Sequence, residues 1–207
     1  MQIEYRIAGP EDLAELCALV QKAIETMIEH HIDQWDERYP DEDILREDIQ
    51  KGQLYVGIVE NQIAVMYVLN QECDEEYAAG QWKYADQPYY VIHRLCVNPA
   101  FQNCGVGRET MRHIEKEGLA AGVSVIRLDA FTENPFALRL YESLGYVGVG
   151  YVHWRKGKFR LMENHGAVAQ SVISLGLLDQ CIMRNVRSDL FKEIVGGESH
   201  ADAKVEV

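Results

Sequence analysis

From Gln2 to Ile7 apolar and polar residues alternate, the period of a half-buried strand. Pro10 then opens a helix, because Leu13, Leu16, Leu19, Val20, Ala23, Ile24, Met27 and Ile28 recur at steps of three and four and so share one face. A polar, aromatic-bearing segment follows (HHIDQWDERYPDED), in which Asp41 or Asp43 supplies the side-chain oxygen to cap a short helix running to about Gln50. Leu54–Val59 and Ile63–Leu69 read as strands of a hairpin joined through Glu60-Asn61-Gln62. The stretch Asn70–Pro88 is polar and long for a connection, and long loops in compact domains are more often functional than idle.

The next segments alternate more regularly. Tyr89–Val97 has strand character, Gly105–Ala121 has helical periodicity, Val125–Phe131 is again a strand, and Asn134–Leu144 is a helix stopped at Gly145. Tyr146–Trp154 and Lys158–Met162 form a last hairpin around Lys156-Gly157. This order predicts an α/β fold with helices on both faces of a mixed sheet. Beyond it, Val168, Val172, Leu175, Leu178, Ile182, Val186, Leu190 and Ile194 form a stripe that predicts one amphipathic helix ending at Gly196-Gly197, with a polar tail after it. That helix would cover the domain's own sheet edge or pack against a second subunit, making a homodimer; an unstructured tail is the remaining reading.

Composition narrows the function classes. At 207 residues the chain is long enough for one domain with an appendage. The net charge of −13 disfavours a general nucleic-acid binder, which needs a basic surface. The charge is uneven: residues 1–90 hold 20 acidic and 6 basic side chains, whereas residues 91–207 hold 13 and 14. An acidic half facing a near-neutral one would attract a cationic ligand, although such carboxylates also serve simply to solvate helix faces. No apolar run is long enough to span a membrane, and the N-terminus lacks the layout of a signal peptide, so the expectation is a cytoplasmic protein without a membrane partner. Cys17, Cys73, Cys96, Cys104 and Cys181 are widely spaced and show no zinc-ligand pattern, and His30-His31 lacks a convincing third ligand; neither a disulfide framework nor a metal is expected.

The most specific local feature is Gln102-Asn103-Cys104-Gly105-Val106-Gly107, set between a strand and a helix. Two glycines one residue apart let a tight loop present successive N–H groups, and the helix that follows adds the positive end of its dipole, an arrangement suited to a pyrophosphate. Arg108 adds a cation. The third glycine of a dinucleotide fingerprint is absent, and no Walker lysine follows. Cys104 invites an acyl-cysteine reading, which is weak because backbone groups do the binding in such loops.

The context of this loop carries a resemblance. The run Leu95-Cys96-Val97-Asn98-Pro99 leads into it, and Asn134-Pro135-Phe136-Ala137-Leu138-Arg139-Leu140-Tyr141-Glu142-Ser143-Leu144-Gly145-Tyr146 follows about thirty residues later. Together these resemble the GNAT superfamily of acetyl-CoA-dependent N-acetyltransferases, whose pattern is a strand ending in V-x-P, a [QR]-x-x-G-x-[GA] loop and then N-x-x-A-x-x-[LF]-Y-x-x-x-G-[FY]. Upstream, Gln34, Trp35, Tyr39, Pro40, Asp48, Ile49, Gly52 and Leu54–Val56 also look like small bacterial members. The resemblance covers residues 1–163 and leaves 164–207 as a C-terminal extension.

It implies a mostly antiparallel central sheet in which Tyr89–Val97 splays from Val125–Phe131. The cleft so formed would take acetyl-CoA, with backbone groups at Leu95 and Val97 along the pantetheine arm and N–H groups from Gln102, Asn103, Cys104, Gly105, Val106, Gly107 and Arg108 around the pyrophosphate. Asn134 and Ala137 would line the far side. A primary amine of a small-molecule or peptide acceptor would attack the thioester directly, with an N–H near Cys96 or Val97 stabilising the oxyanion. Tyr141 would donate a proton to the departing thiolate. His93, two residues before Leu95 and so expected on the same face of the strand, is the candidate base; Glu133 and a water chain are alternatives, as is a histidine of purely structural use. Trp35 and Tyr39 would wall the acceptor pocket or serve as an aromatic lid anchored in the core. A different class of protein shares the same cofactor site: an acyl-CoA sensor or assembly module of this fold without turnover.

Overall fold

The computed structural model describes residues 1–165, and the helix and tail expected in the C-terminal extension lie outside the described residues. Seven strands form one sheet: β1 (Glu4–Ile7), β2 (Leu54–Val59), β3 (Gln62–Asn70), β4 (Tyr89–Val97), β5 (Val125–Phe131), β6 (Val147–Trp154) and β7 (Gly157–His165), in the order β1-β2-β3-β4-β5-β7-β6. Every neighbouring pair is antiparallel except β4 with β5. The mixed, mostly antiparallel sheet is the one expected.

Four helices cover it: α1 (Leu13–Glu29), α2 (Glu42–Gln50), α3 (Val106–Ala120) and α4 (Pro135–Ser143). Leu16 and Leu19 of α1 and Leu45 and Ile49 of α2 bury against Leu54, Met66 and Val68 on one face of the sheet. On the other, Met111 and Ile114 of α3 and Tyr141 of α4 pack with Tyr67, Ile92 and Leu128. Local chemistry sets the ends of these elements. Asp41 accepts a hydrogen bond from the N–H of Ile44 and caps α2, as its position suggested. Asn134 does the same for α4 through the N–H of Ala137. The two-residue turn Glu60-Asn61 takes left-handed angles at both positions (φ 50° and 63°), which match the twist of the flanking strands. The helix expected from Pro10 begins at Leu13, after a single 3-10 turn, Pro10–Asp12.

Two irregularities in β4 create the site. Val68 of β3 pairs with His93 and Met66 with Cys96, so Tyr67 alone opposes Arg94 and Leu95. Arg94 is in the left-handed region (φ 50°), a conformation that bulges ordinarily give to glycine. The bulge reverses the in-and-out alternation of the strand. His93 therefore shares a face with Val68 and Cys96, toward α1 and α2, while Leu95 packs with Ile92 toward α3 and α4. The expected common face of His93 and Leu95 is corrected by this one inserted residue. The second irregularity is that β4 pairs with β5 only from Tyr89 with Val125 to Ile92 with Leu128. Past that point the parallel strands part, and a gap opens through the sheet.

Candidate active site

A cavity of about 390 Å³ lies at this gap, and its walls come from both faces of the sheet. Ile92, Leu95 and Tyr141 belong to the α3–α4 face, whereas Trp35, His93, Arg94 and Asp129 approach from the α1–α2 side. A through-sheet opening lets two reactants meet end to end from opposite faces.

On the α3 side, the loop before the helix has the expected build. Gly105 caps α3 in a left-handed conformation (φ 84°), and no side chain occupies the capping position. The N–H groups of Val106, Gly107 and Arg108 in the first turn therefore lack an intrahelical acceptor. A Cβ at Gly105 would meet nothing within 4 Å, so the loop is open at the residue that precedes these donors. Gly107 has a different reason to be glycine: a Cβ there would sit 3.3 Å from Leu140 and 3.4 Å from Val97, and its absence lets α3 close on α4 and β4. Gln102, Asn103, Cys104 and Gly105 are exposed. The Arg108 side chain turns to α4 and donates to Ser143 Oγ at 2.7 Å.

The backbone of β4 supplies the second donor row. The N–H of Asn98 bonds to Ala64 O on β3, and by strand alternation Cys96 also turns to β3, leaving the backbone groups of Val97 directed at the gap. Cys96 itself is buried among α1 and α2 residues, where burial pushes its thiol up to about 12. Its side chain is thus a core group.

Tyr141 is buried, lines the cavity and makes no hydrogen bond through its hydroxyl among the described residues. Burial, then the nearby Asp129 charge, hold that phenol well above its ordinary value, so it stays protonated. His93 Nε2 lies 3.1 Å from both Asn70 Oδ1 and the Glu72 carbonyl. Because a carbonyl only accepts, Nε2 carries the proton and Nδ1 keeps the free lone pair. Burial and the neighbouring Arg94 cation lower its pKa, which keeps the ring neutral. Asp129, at the open end of β5, accepts from the Tyr77 hydroxyl at 2.8 Å, and burial pushes its carboxyl up to about 6. Glu133 is exposed and does not line the cavity.

Trp35 is buried and Tyr39 partly exposed, and both line the cavity. Tyr39 Oη accepts from Arg94, which also grips Asp48 through two bonds of 2.7 and 2.9 Å. Asn134 is engaged twice, by its cap and by donating to Gln34 Oε1 at 2.8 Å, and Ala137 is partly buried against the core of the α3–α4 face. The acidic half enters the cavity surroundings mostly as ion pairs. Asp33, Asp36 and Asp48 of the acidic half pair with Lys156, Arg155 and Arg94, and the wall carries four basic side chains against two acidic ones. Asp129 and this basic wall are the residues that sequence reasoning missed. Asp129 left a readable trace, the one carboxylate of the strand Val125–Phe131, two positions after Arg127.

Among the described residues no helix is long and apolar enough to cross a membrane. Comparisons place the chain among known proteins. It is 41% identical over 61 residues to N-alpha-acetyltransferase RimI of Mycobacterium tuberculosis, a match covering 30% of the chain and 37% of that protein. It is 30% identical over 84 residues to the L-methionine sulfoximine/L-methionine sulfone acetyltransferase of Salmonella typhimurium, covering 36% of the chain and 49% of that protein. The chain thus spans less than half the length of the curated relatives it matches. The fold is similar to that of a GNAT-family acetyltransferase from Streptococcus agalactiae (TM-score 0.69, 23% identity), over 79% of this chain and 95% of that one. Residues 21–146, more than half of the sequence and including the glycine loop and Tyr141, match the acetyltransferase (GNAT) family, to which the chain belongs.

Proposed function

We propose that the protein is an N-acetyltransferase that moves an acetyl group from acetyl-CoA to a primary amine entering from the α1–α2 side. The observation that carries this reading is the parting of β4 from β5 beyond Ile92, where a cavity holds Tyr141, His93 and Asp129, on the strand that leads into the uncapped N-terminus of α3. The open space before Gly105 suits a pyrophosphate, and Val106, Gly107 and Arg108 would hold it through their N–H groups. Backbone groups of Leu95 and Val97 would align the pantetheine arm along the free edge of β4, and bound acetyl-CoA supplies an acetyl thioester at the gap.

The residues then divide the proton work. Asp129, ionised above about pH 6, holds the acceptor as an ammonium at the gap. His93 Nδ1 takes one proton, freeing the nitrogen lone pair for attack on the thioester carbonyl. The N–H of Val97, directed at the gap, stabilises the charge that develops on the carbonyl oxygen. As the new C–N bond forms and the C–S bond breaks, Tyr141 gives its proton to the sulfur. The amide nitrogen loses its second proton, which restores Tyr141. One proton is released for each transfer. The acetyl group passes directly between the two substrates, so no enzyme nucleophile is needed, and exposed Cys104 stays outside the reaction.

The test is a thiol-release assay with acetyl-CoA over a panel of primary amines, with the product weighed by mass spectrometry. Release accompanied by a gain of one acetyl group on the amine is the expected result. Tight acetyl-CoA binding with no release on any amine would favour an acyl-CoA sensor instead.

A further inference from the structure

The cavity wall carries six charged side chains: Arg38, Arg94, Arg155 and Lys156, with Asp74 and Asp129. Three of the cations are already neutralised. Arg94 is held by Asp48, Arg155 makes a two-pronged pair with Asp36 at 2.6 and 2.8 Å, and Lys156 bridges Asp33 and Asp36. Arg38 differs. Its side chain has no ion pair and no hydrogen bond among the described residues. Its backbone N–H donates to Asp36 Oδ1 at 3.1 Å, so the network that neutralises Arg155 and Lys156 also fixes the main chain from which Arg38 projects. Among the described residues the result is one uncommitted guanidinium, on an exposed residue of a cavity wall that also carries the Asp74 and Asp129 carboxyls.

Resting on the acetyl-transfer reading above, we propose that the acceptor is a small amine that also bears a carboxylate, and that Arg38 receives this carboxylate. A guanidinium presents paired N–H donors whose geometry matches a carboxylate, so it selects that group over a neutral amide. Asp129 attracts the ammonium end of the same molecule. An unpaired cation and a carboxyl lining one small cavity are the charges complementary to an amino acid. A polyamine would set a second ammonium against Arg38. A protein N-terminus carries an amide where the amino acid has its carboxylate. The volume of about 390 Å³ sits at the small end of ligand pockets, as such an acceptor requires.

The experiment uses the full chain with saturating acetyl-CoA and measures thiol release on three acceptor sets: free amino acids, the matching amino-acid amides, and diamines. The acids are expected to show kcat/KM at least about tenfold above the amides, a difference of one charge-assisted contact. Arg38→Met should raise KM for the acids about 10- to 100-fold while kcat changes by less than about twofold, and Arg38→Lys should recover part of the loss. The same variant should leave the amides unaffected. Equal use of acids and amides by the unmodified protein, or an Arg38→Met loss that falls on both alike, overturns the carboxylate assignment. Diamines as the best acceptors overturn it too, while leaving acetyl transfer standing. Bound acetyl-CoA with no thiol release on any acceptor brings down the transfer reading, and this inference with it.

Discussion

Tyr77 donates its hydroxyl to Asp129 Oδ2 at 2.8 Å, fastening the long loop after β3 to the carboxyl at the open end of β5. The loop is pinned elsewhere as well: Gln81 N–H bonds to Val149 O, and Lys83 N–H to Glu163 Oε1. Asp74, on the same loop, lines the cavity. The segment that looked too long to be an idle connection thus contributes Asp74 to the cavity wall.

The Asp129 carboxyl links pH, stability and activity. Its ordinary pKa of 3.8 is raised to about 6, chiefly by burial. A raised folded-state pKa stabilises the native state below the unfolded value, and that contribution is lost as pH rises from about 4 through 6. Asp129→Asn stays neutral and keeps an oxygen for Tyr77, so its thermal midpoint should exceed that of the unmodified protein above pH 6, with the difference vanishing near pH 4. Activity should move the other way. In the unmodified protein kcat/KM should rise through about pH 6 as Asp129 ionises; in the variant only the His93 titration should remain on that limb, and KM for the amine should increase. Thermal melts and rate profiles over the same pH range check both.

Tyr141→Phe removes the hydroxyl while keeping the buried ring against Tyr146. Loss of a general acid lowers kcat by about 10²- to 10⁴-fold. Acetyl-CoA affinity, measured by calorimetric titration, should be unchanged. A full-rate variant would remove Tyr141 from the proton-donor role.

At Gly105 the backbone is left-handed and the space before it is open. Gly105→Glu strains that turn and projects a negative charge to where a pyrophosphate would lie, so coenzyme A affinity should fall at least about tenfold. Unchanged affinity by calorimetry would mean that the loop is only a turn.

The Arg94–Asp48 pair has little solvent exposure, with side chains 13% and 8% accessible, and it secures the bulge. Burial raises the Asp48 pKa, and the Arg94 charge counters part of that rise. Asp48→Ala leaves the guanidinium desolvated with only Tyr39 as partner and should destabilise the protein by about 3–5 kcal/mol in urea unfolding. The exposed Lys51–Glu47 pair on the same helix-and-turn surface is a fair control, since breaking it should leave the unfolding midpoint almost unchanged.

What could be read ahead of the structure follows the reach of each signal. Period and capping are local, so every strand and α-helix through His165 was legible, with α3 and α4 bounded by Gly105 and Asn134 as their chemistry suggests, whereas the 3-10 turn Glu75–Ala79 was not. The bulge was not. Arg94 adopts φ 50° where β3 and β4 come into register, and its guanidinium meets Asp48 and Tyr39, partners 46 and 55 positions away. The glycine loop and Tyr141 were legible through a family pattern, because each lies within one short motif. The basic wall was not, since Arg38 sits between α1 and α2 while Arg155 and Lys156 sit at the turn between β6 and β7. Those segments meet only in the folded chain, where they absorb the acidic residues whose excess had suggested a cationic ligand.

A crystal structure of the protein with coenzyme A tests the central assignment most directly. The pyrophosphate should lie against the N–H groups between Gln102 and Arg108, with the sulfur in the gap beyond Ile92 and within hydrogen-bond distance of the Tyr141 hydroxyl. A pyrophosphate held away from this loop, or a sulfur that does not reach Tyr141, would contradict transfer through the β4–β5 gap.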